Sequence, residues 1–120
     1  KRLKNLQQGV SLVLKNESLS PDMKRNYKVA DMITGYGVAY AVKHYYELWG
    51  GDIKTKRAVI QGWGNVAAAA GFYLSQMGVK IVGIIDRVGG LLNENGFTFD
   101  EIKNLFNTRN GNALNAADMR

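Results

Sequence analysis

The stretch Arg57-Ala58-Val59-Ile60-Gln61-Gly62-Trp63-Gly64-Asn65-Val66-Ala67 constrains this chain more than any other. A short run with the composition of a buried strand meets two glycines, and a helical pattern begins at once. Val66, Ala70, Tyr73, Leu74 and Met77 fall on one face at three- and four-residue steps. The alanines from Ala67 to Ala70 let that helix lie close to its neighbours. Gly78 ends it. Lys80 to Ile85 then reads as a second strand, apolar on both faces and closed by Asp86.

Strand, helix and strand within about thirty residues require a right-handed crossover between parallel strands. The expected fold class is therefore α/β: a partial doubly wound, Rossmann-like parallel sheet with flanking helices, truncated to about half its full extent.

The remaining segments are read around this unit. Leu3, Leu6, Val10, Val13 and Leu14 have a loose helical spacing that Gly9 interrupts. Ser20-Pro21 reads as a helix start, with serine as cap and proline in the first turn. From Val29 to Trp49 the helical pattern is strong, with Val38, Ala41, Val42, Tyr45 and Trp49 on one stripe, and Gly50-Gly51 terminates it. Asp52 to Lys56 is a polar turn. Gly89-Gly90 and Asn95-Gly96 mark further turns. Thr98 with Glu101 forms a capping box for a helix through Phe99, Ile102 and Phe106 to about Thr108. Beyond Arg109 the chain is polar and reads as a loose tail. The expected divisions are 1–28, 29–108 and 109–120. The chain opens on Lys1 and closes on Met119-Arg120 with no closing element, which reads as a piece of a longer protein.

The formal net charge is +6. The bases are dispersed and belong to no nucleic-acid motif, so nucleic acid is not an expected partner. No apolar run is long enough to span a bilayer, so no membrane is expected. The chain contains no cysteine and shows no signal sequence, which fits a reducing cytoplasm.

Each feature of the glycine turn has a physical use. Gly62 permits the bend at the end of the strand. Gly64 has no side chain, so a pyrophosphate can approach the backbone. Ala67 is small enough for the helix to pack on the strand. The first N–H groups of the helix then face the phosphates, and the helix dipole favours their negative charge. Asp86, about twenty residues beyond Gly64, stands where a carboxylate accepts hydrogen bonds from a ribose. Asp86 would repel a 2′-phosphate, which favours NAD. Arg87 beside it can pair with that phosphate, stack on adenine, or simply be a solvated surface residue, so NADP stays open. A tight turn without a ligand is the plainer alternative.

Three stretches together resemble the glutamate/leucine/phenylalanine/valine dehydrogenase family, in its cofactor-binding domain. Thr34-Gly35-Tyr36-Gly37-Val38 is similar to the family's T-G-x-G-V helix. Gln61-Gly62-Trp63-Gly64-Asn65-Val66 is similar to its Q-G-F-G-N-V turn. Asp86, Gly89, Gly90, Asn93 and Gly96 follow its D-x-x-G-G-x-x-N-x-x-G spacing. The resemblance implies a parent enzyme that oxidatively deaminates an amino acid to a 2-oxo acid, passing a hydride to the nicotinamide, and that works as a homo-oligomer. It implies that Thr34 meets the nicotinamide carboxamide, that Gly62, Trp63, Gly64, Asn65 and Val66 form the pyrophosphate loop, and that Asp86, with Arg87 beside it, meets the ribose. The family's arginine and glutamate before Thr34 are absent, since this chain reads Val29-Ala30-Asp31-Met32-Ile33. Residues 1–28 match poorly. No residue matches the family's catalytic lysine or aspartate, so no catalytic residue is assigned and the isolated chain is expected to lack turnover.

Other residues invite blander readings. His44 has no ligand partner in suitable spacing, and no metal site is expected. Tyr45, Tyr46 and Trp49 read as core or as a domain contact. Asp100 and Glu101 are explained by helix capping. Read without the resemblance, Thr34-Gly35-Tyr36-Gly37 is a helix whose glycines allow close packing. Two functional alternatives remain beside the dehydrogenase reading: a non-catalytic dehydrogenase-like interaction or regulatory module, and another nucleotide user such as a methyltransferase.

Overall fold

The computed structural model describes residues 2–118. Lys1, Met119, Arg120 and the side chains of Arg2 and Leu6 lie outside the described residues. The elements are α1 (Arg2–Val10), α2 (Val29–Trp49), β1 (Arg57–Gln61), α3 (Asn65–Gln76), β2 (Lys80–Ile85), β3 (Gly90–Leu92) and α4 (Phe99–Asn107). The three strands form one sheet in the order β1-β2-β3.

β1 and β2 are parallel, as the crossover through α3 demands, and a register shift between Ala58 and Val59 places Val59 opposite Gly83. β3 is the departure from an all-parallel sheet. It runs antiparallel to β2, pairing Gly83 with Leu92 and Ile85 with Gly90. The reason is the length of the connection. A parallel crossover needs a dozen residues or more, whereas Asp86 to Gly89 make a tight turn. In that turn the Asp86 N–H donates to the Gly89 carbonyl at 2.9 Å. The sheet is thus mixed, with helices flanking it.

The core gathers Phe72, Tyr73, Ile81, Ile84, Ile102 and Phe106 around the fully buried Trp63. α3 supplies most of it, because residues Ala68 to Leu74 are all buried. α4 is held at its start by the expected capping box: the Glu101 N–H donates to Thr98 Oγ1 at 3.1 Å and the Thr98 N–H donates to Glu101 Oε1 at 2.8 Å.

α2 packs on α3 through small residues. Its buried residues are Met32, Gly35 and Ala39. A Cβ added at Gly35 would overlap the Ala69 Cβ and lie 2.6 Å from both the Ala70 nitrogen and the Val66 carbonyl oxygen. The close-packing role of this glycine is therefore real. The stripe read from the sequence is not the buried one. Val38, Tyr45 and Trp49 are exposed, Trp49 at 76%, because α2 packs on α3 through the face that carries Gly35 instead.

Three further expectations change. β1 is not a buried strand: it pairs on one side only, and Val59 is 61% exposed. Ser20-Pro21 starts no α-helix. Both residues are buried, and a single 3-10 turn follows at Met23–Arg25 with Asp22 as its cap. The segment is held against the helices, with Tyr73 Oη donating to the Leu19 carbonyl at 2.6 Å and Asn107 Nδ2 donating to the Pro21 carbonyl at 3.2 Å. Finally, residues 109–118 are not a loose tail. Ala113 and Leu114 are buried, and Thr108 Oγ1 donates to Asp118 Oδ2 at 2.7 Å.

The crossing of α2 and α3 generates a paired prediction. Gly35→Ala should lower the stability to urea by about 1–3 kcal/mol through overpacking. Gly37→Ala, with nothing within 4 Å of the added Cβ, should raise it by about 0.5–1 kcal/mol by restricting the unfolded chain.

Candidate functional site

At the carboxyl ends of β1 and β2 lies a cleft of about 480 Å³, lined by Gln61, Gly62, Trp63, Gly64, Ile85, Asp86, Arg87 and Asn112. Parallel strands on either side of a crossover helix place their ends together, so the first strand's glycine turn and the second strand's terminal acid meet here.

Gly62 has a φ of +87°, in the left-handed region that favours glycine, and its N–H donates to the Ile85 carbonyl at 2.6 Å. This bond extends the strand pairing into the turn. Gly64 is the N-cap of α3 and offers no side chain to the N–H groups of the first turn. A bare helix start therefore faces the cleft. Behind it the Trp63 indole points away from the cleft into the core, where Nε1 donates to the Leu105 carbonyl at 3.0 Å. Gly71 is what makes room for the indole: a Cβ there would stand 2.9 Å from Trp63 Cζ3 and from Ile60 Cδ1.

The Asp86 carboxylate is held by three main-chain donors. Oδ1 accepts from the N–H groups of Val88 at 2.8 Å and Gly89 at 3.3 Å, and Oδ2 accepts from the N–H of Leu114 at 2.6 Å. Burial alone would push its pKa up. The bonds from Leu114, Val88 and Gly89, with the Arg87 charge, outweigh that and hold it below the ordinary carboxylate value. Arg87 is exposed beside it.

The segment after α4 closes one side of the cleft. Arg109 lies over the Phe106 ring at 4.2 Å, donates from Nε to the Phe106 carbonyl at 3.0 Å, and donates from Nη1 to Asn65 Oδ1 at 3.2 Å. Asn112 stands against Gly64, where an added Cβ would meet its carbonyl oxygen at 3.7 Å. None of this was visible in a polar stretch read as a tail. The one available signal was the apolar pair Ala113-Leu114 inside it.

Of the residues singled out from the sequence, Gly62, Trp63, Gly64, Asp86 and Arg87 line the cleft together. Asn65 sits at its edge, its side chain engaged by Arg109. Val66 is 47% exposed on α3 and faces the groove beside β1 instead. Thr34 is exposed on α2 and is not among the residues lining the cleft. Gln61, Ile85 and Asn112 line it without having been singled out. His44 is exposed, with Nδ1 3.0 Å from Glu47 Oε2. Among the described residues no group of three His, Cys, Asp or Glu side chains converges, and no helix is long and apolar enough to cross a membrane.

Comparison with known proteins places this architecture. The family model for Glutamate/Leucine/Phenylalanine/Valine dehydrogenase matches residues 27–119. The chain belongs to that family. It is 37% identical over 79 residues to an NADP(+)-dependent glutamate dehydrogenase of Pyrobaculum calidifontis, a match covering 65% of this chain and 18% of that protein. It is 37% identical over 67 residues to a cryptic catabolic NAD-specific glutamate dehydrogenase of Bacillus subtilis, covering 56% of this chain and 16% of that protein. Among solved structures, the hetero-hexameric glutamate dehydrogenase of Thermus thermophilus superposes with a TM-score of 0.58 at 23% identity, over 64% of this chain and 18% of that one. The chain thus spans less than a fifth of the length of these relatives. The relatives use NAD or NADP, so a nicotinamide dinucleotide is the family's cofactor. The solved relative is a hetero-hexamer, where the sequence reading expects a homo-oligomer.

The bonding of Asp86 predicts a pH dependence. Its native pKa lies below the unfolded value of about 3.9, so its contribution to stability is complete above that value. The contribution is lost as pH falls through the lower native value. Urea midpoints measured from neutral pH downward should show this loss in the wild type. In Asp86→Asn the midpoint should be lower at neutral pH and the acid-dependent fall correspondingly smaller.

Proposed function

We propose that this chain is the cofactor-binding part of a glutamate dehydrogenase-like amino acid dehydrogenase, and that its cleft receives the adenosine and pyrophosphate portion of NAD. The observation that carries the reading is the meeting of a side-chain-free helix start at Gly64 with a fixed, ionised carboxylate at Asp86, on the carboxyl side of two parallel strands. The N–H groups of the first turn of α3, at Asn65 and Val66, take the pyrophosphate. Gly62 and Gly64 let it reach the backbone, and the Trp63 backbone completes the turn. Asp86 accepts hydrogen bonds from the adenosine ribose, and its charge favours NAD over NADP. Arg87 stacks on the adenine or, with NADP, pairs with the 2′-phosphate.

When bound, the dinucleotide supplies a hydride acceptor at its nicotinamide. The residues of this chain bind and orient it. Thr34 is assigned to the carboxamide of the nicotinamide, a contact that requires the cofactor to extend from the cleft past the start of α3 towards α2. The amino acid substrate and the acid-base groups that act on it belong to the portion of the enzyme outside this chain. The chain alone, holding only the adenosine and pyrophosphate part of the site, therefore binds cofactor weakly at best and does not turn over substrate.

A second reading, a dehydrogenase-like module that serves protein contacts, draws on the exposed Tyr45, Leu48 and Trp49 at the end of α2. Titration with NADH separates the two. Under the first reading, NADH fluorescence should rise by energy transfer from tryptophan. Gly64→Val should abolish the transfer while the circular dichroism spectrum persists. At Gly64 the φ is −79° and an added Cβ meets nothing closer than 3.7 Å, so the fold tolerates a side chain that the ligand does not. Absence of transfer in the wild type would favour the interaction module.

A further inference from the structure

The dipeptide asparagine-glycine occurs at Asn95-Gly96 and at Asn110-Gly111. With no side chain on the glycine, its amide nitrogen can reach the asparagine side-chain carbonyl carbon and close a five-membered ring. The structure gives the two pairs opposite surroundings. The Gly96 N–H donates to the Asn93 carbonyl at 2.9 Å, and the Asn95 N–H donates to Asn93 Oδ1 at 3.1 Å. The next amide, of Phe97, donates to the Ile81 carbonyl at 2.8 Å, so this turn is tied to β2. Gly96 is also packed, since a Cβ there would stand 3.2 Å from Lys80 Cβ. Asn110 and Gly111 are both exposed, at the tip of the turn after α4. Among the described residues the Gly111 N–H has no acceptor. A Cβ added at Gly111 meets nothing within 4 Å.

We infer that Asn110 is a site of spontaneous covalent modification, passing through a succinimide to aspartate and isoaspartate, whereas Asn95 is held unreactive by its turn. Solvent base takes the Gly111 amide proton. The nitrogen's electron pair forms a bond to Asn110 Cγ, the Cγ–Nδ2 bond breaks, and the side-chain nitrogen leaves as ammonia. Water then opens the ring, at the side-chain carbonyl to give aspartate or at the main-chain carbonyl to give isoaspartate. Nothing is oxidised or reduced, and water is the one co-reactant. At Asn95 the same step must first free the Gly96 amide from the Asn93 carbonyl and shift Gly96 against Lys80. The product alters the turn. Asn110 and Ala113 exchange main-chain bonds, at 2.9 Å from the Asn110 N–H and 3.3 Å from the Ala113 N–H. In isoaspartate the carbonyl that accepts from Ala113 becomes a free carboxylate outside the main chain, and one carbon is added to the chain path. The strain falls next to the buried Ala113 and Leu114, and beside Asn112 in the cleft wall.

The test incubates the full chain in mildly alkaline buffer, folded and in concentrated urea, and follows both asparagines by peptide mass spectrometry. In urea the two should convert at similar rates. In the folded chain Asn110 should keep its rate in urea. Asn95 should fall behind it by about fivefold or more, because a main-chain hydrogen bond must open first. The aged wild type should melt about 4 °C lower than the fresh protein, from loss of the turn's bonds. Asn110→Ser, whose side chain cannot cyclise, should keep its own melting temperature on ageing. An Asn110 that stays an amide in the folded chain, under conditions that convert it in urea, would overturn the inference. So would an Asn95 that converts as fast as Asn110 in the folded chain. A converted chain that melts like the fresh one would overturn the effect on the turn.

Discussion

The geometry of the cleft depends on one carboxylate. Asp86 is at once the end of β2, the first residue of the turn into β3 and the acceptor for the segment after α4. Its Oδ1 accepts the two amides that shape the turn, and its Oδ2 accepts the amide that brings the chain back. Neutralising or removing it would leave three main-chain donors without their charged acceptor, at the point where strand, hairpin and the segment after α4 converge. The same charge faces the cleft. The bonds that make it a turn residue are also what keep it ionised at the cleft.

A second constraint sets where the helix start lies. α3 must sit close to both β1 and α2 for Gly64 to open on the strand ends. Small residues achieve this on both sides, with Gly71 admitting Trp63 and Ile60 on the sheet side, and Gly35 admitting Ala69 on the α2 side. The indole then fills the space under the turn and bonds to α4 through the Leu105 carbonyl. A large side chain in the middle of a glycine motif thus braces the turn from below, while Gly62 and Gly64 add no side chain to the cleft above it.

Elements whose signals are local were legible in the sequence. The strand, glycine turn, helix and second strand follow from composition and period, and the Thr98–Glu101 capping box from spacing. What depends on distant partners was not. β3 is three residues long, Gly90–Leu92, with no alternation to detect. The stripe on α2 that includes Val38, Tyr45 and Trp49 obeys the helical period, yet the period cannot say which face α3 will cover. The face actually buried is Met32, Gly35 and Ala39, where small residues weaken any apolar signal. In the cleft, Gly62 and Gly64, singled out for an anion at the backbone, and Asp86, singled out for a ribose, line one surface. Asn112 and the Leu114 amide were not singled out, because a main-chain donor carries no residue signature.

The cleft nevertheless draws all its lining from Gln61 to Asn112, a single contiguous stretch. Its two ends, the glycine turn and the segment after α4, are held together by the Arg109–Asn65 bond and by Asp86. The fold is less complete elsewhere. β1 keeps an unpaired edge, and Val38, Val42, Val66 and Ala70 border a groove along it. An edge of this kind is a template for further pairing, whereas the cleft walls are already satisfied by their own hydrogen bonds. The walls of the cleft are thus satisfied by contacts within this chain, and the apolar surface left uncovered lies along the flank of β1 and at the aromatic end of α2.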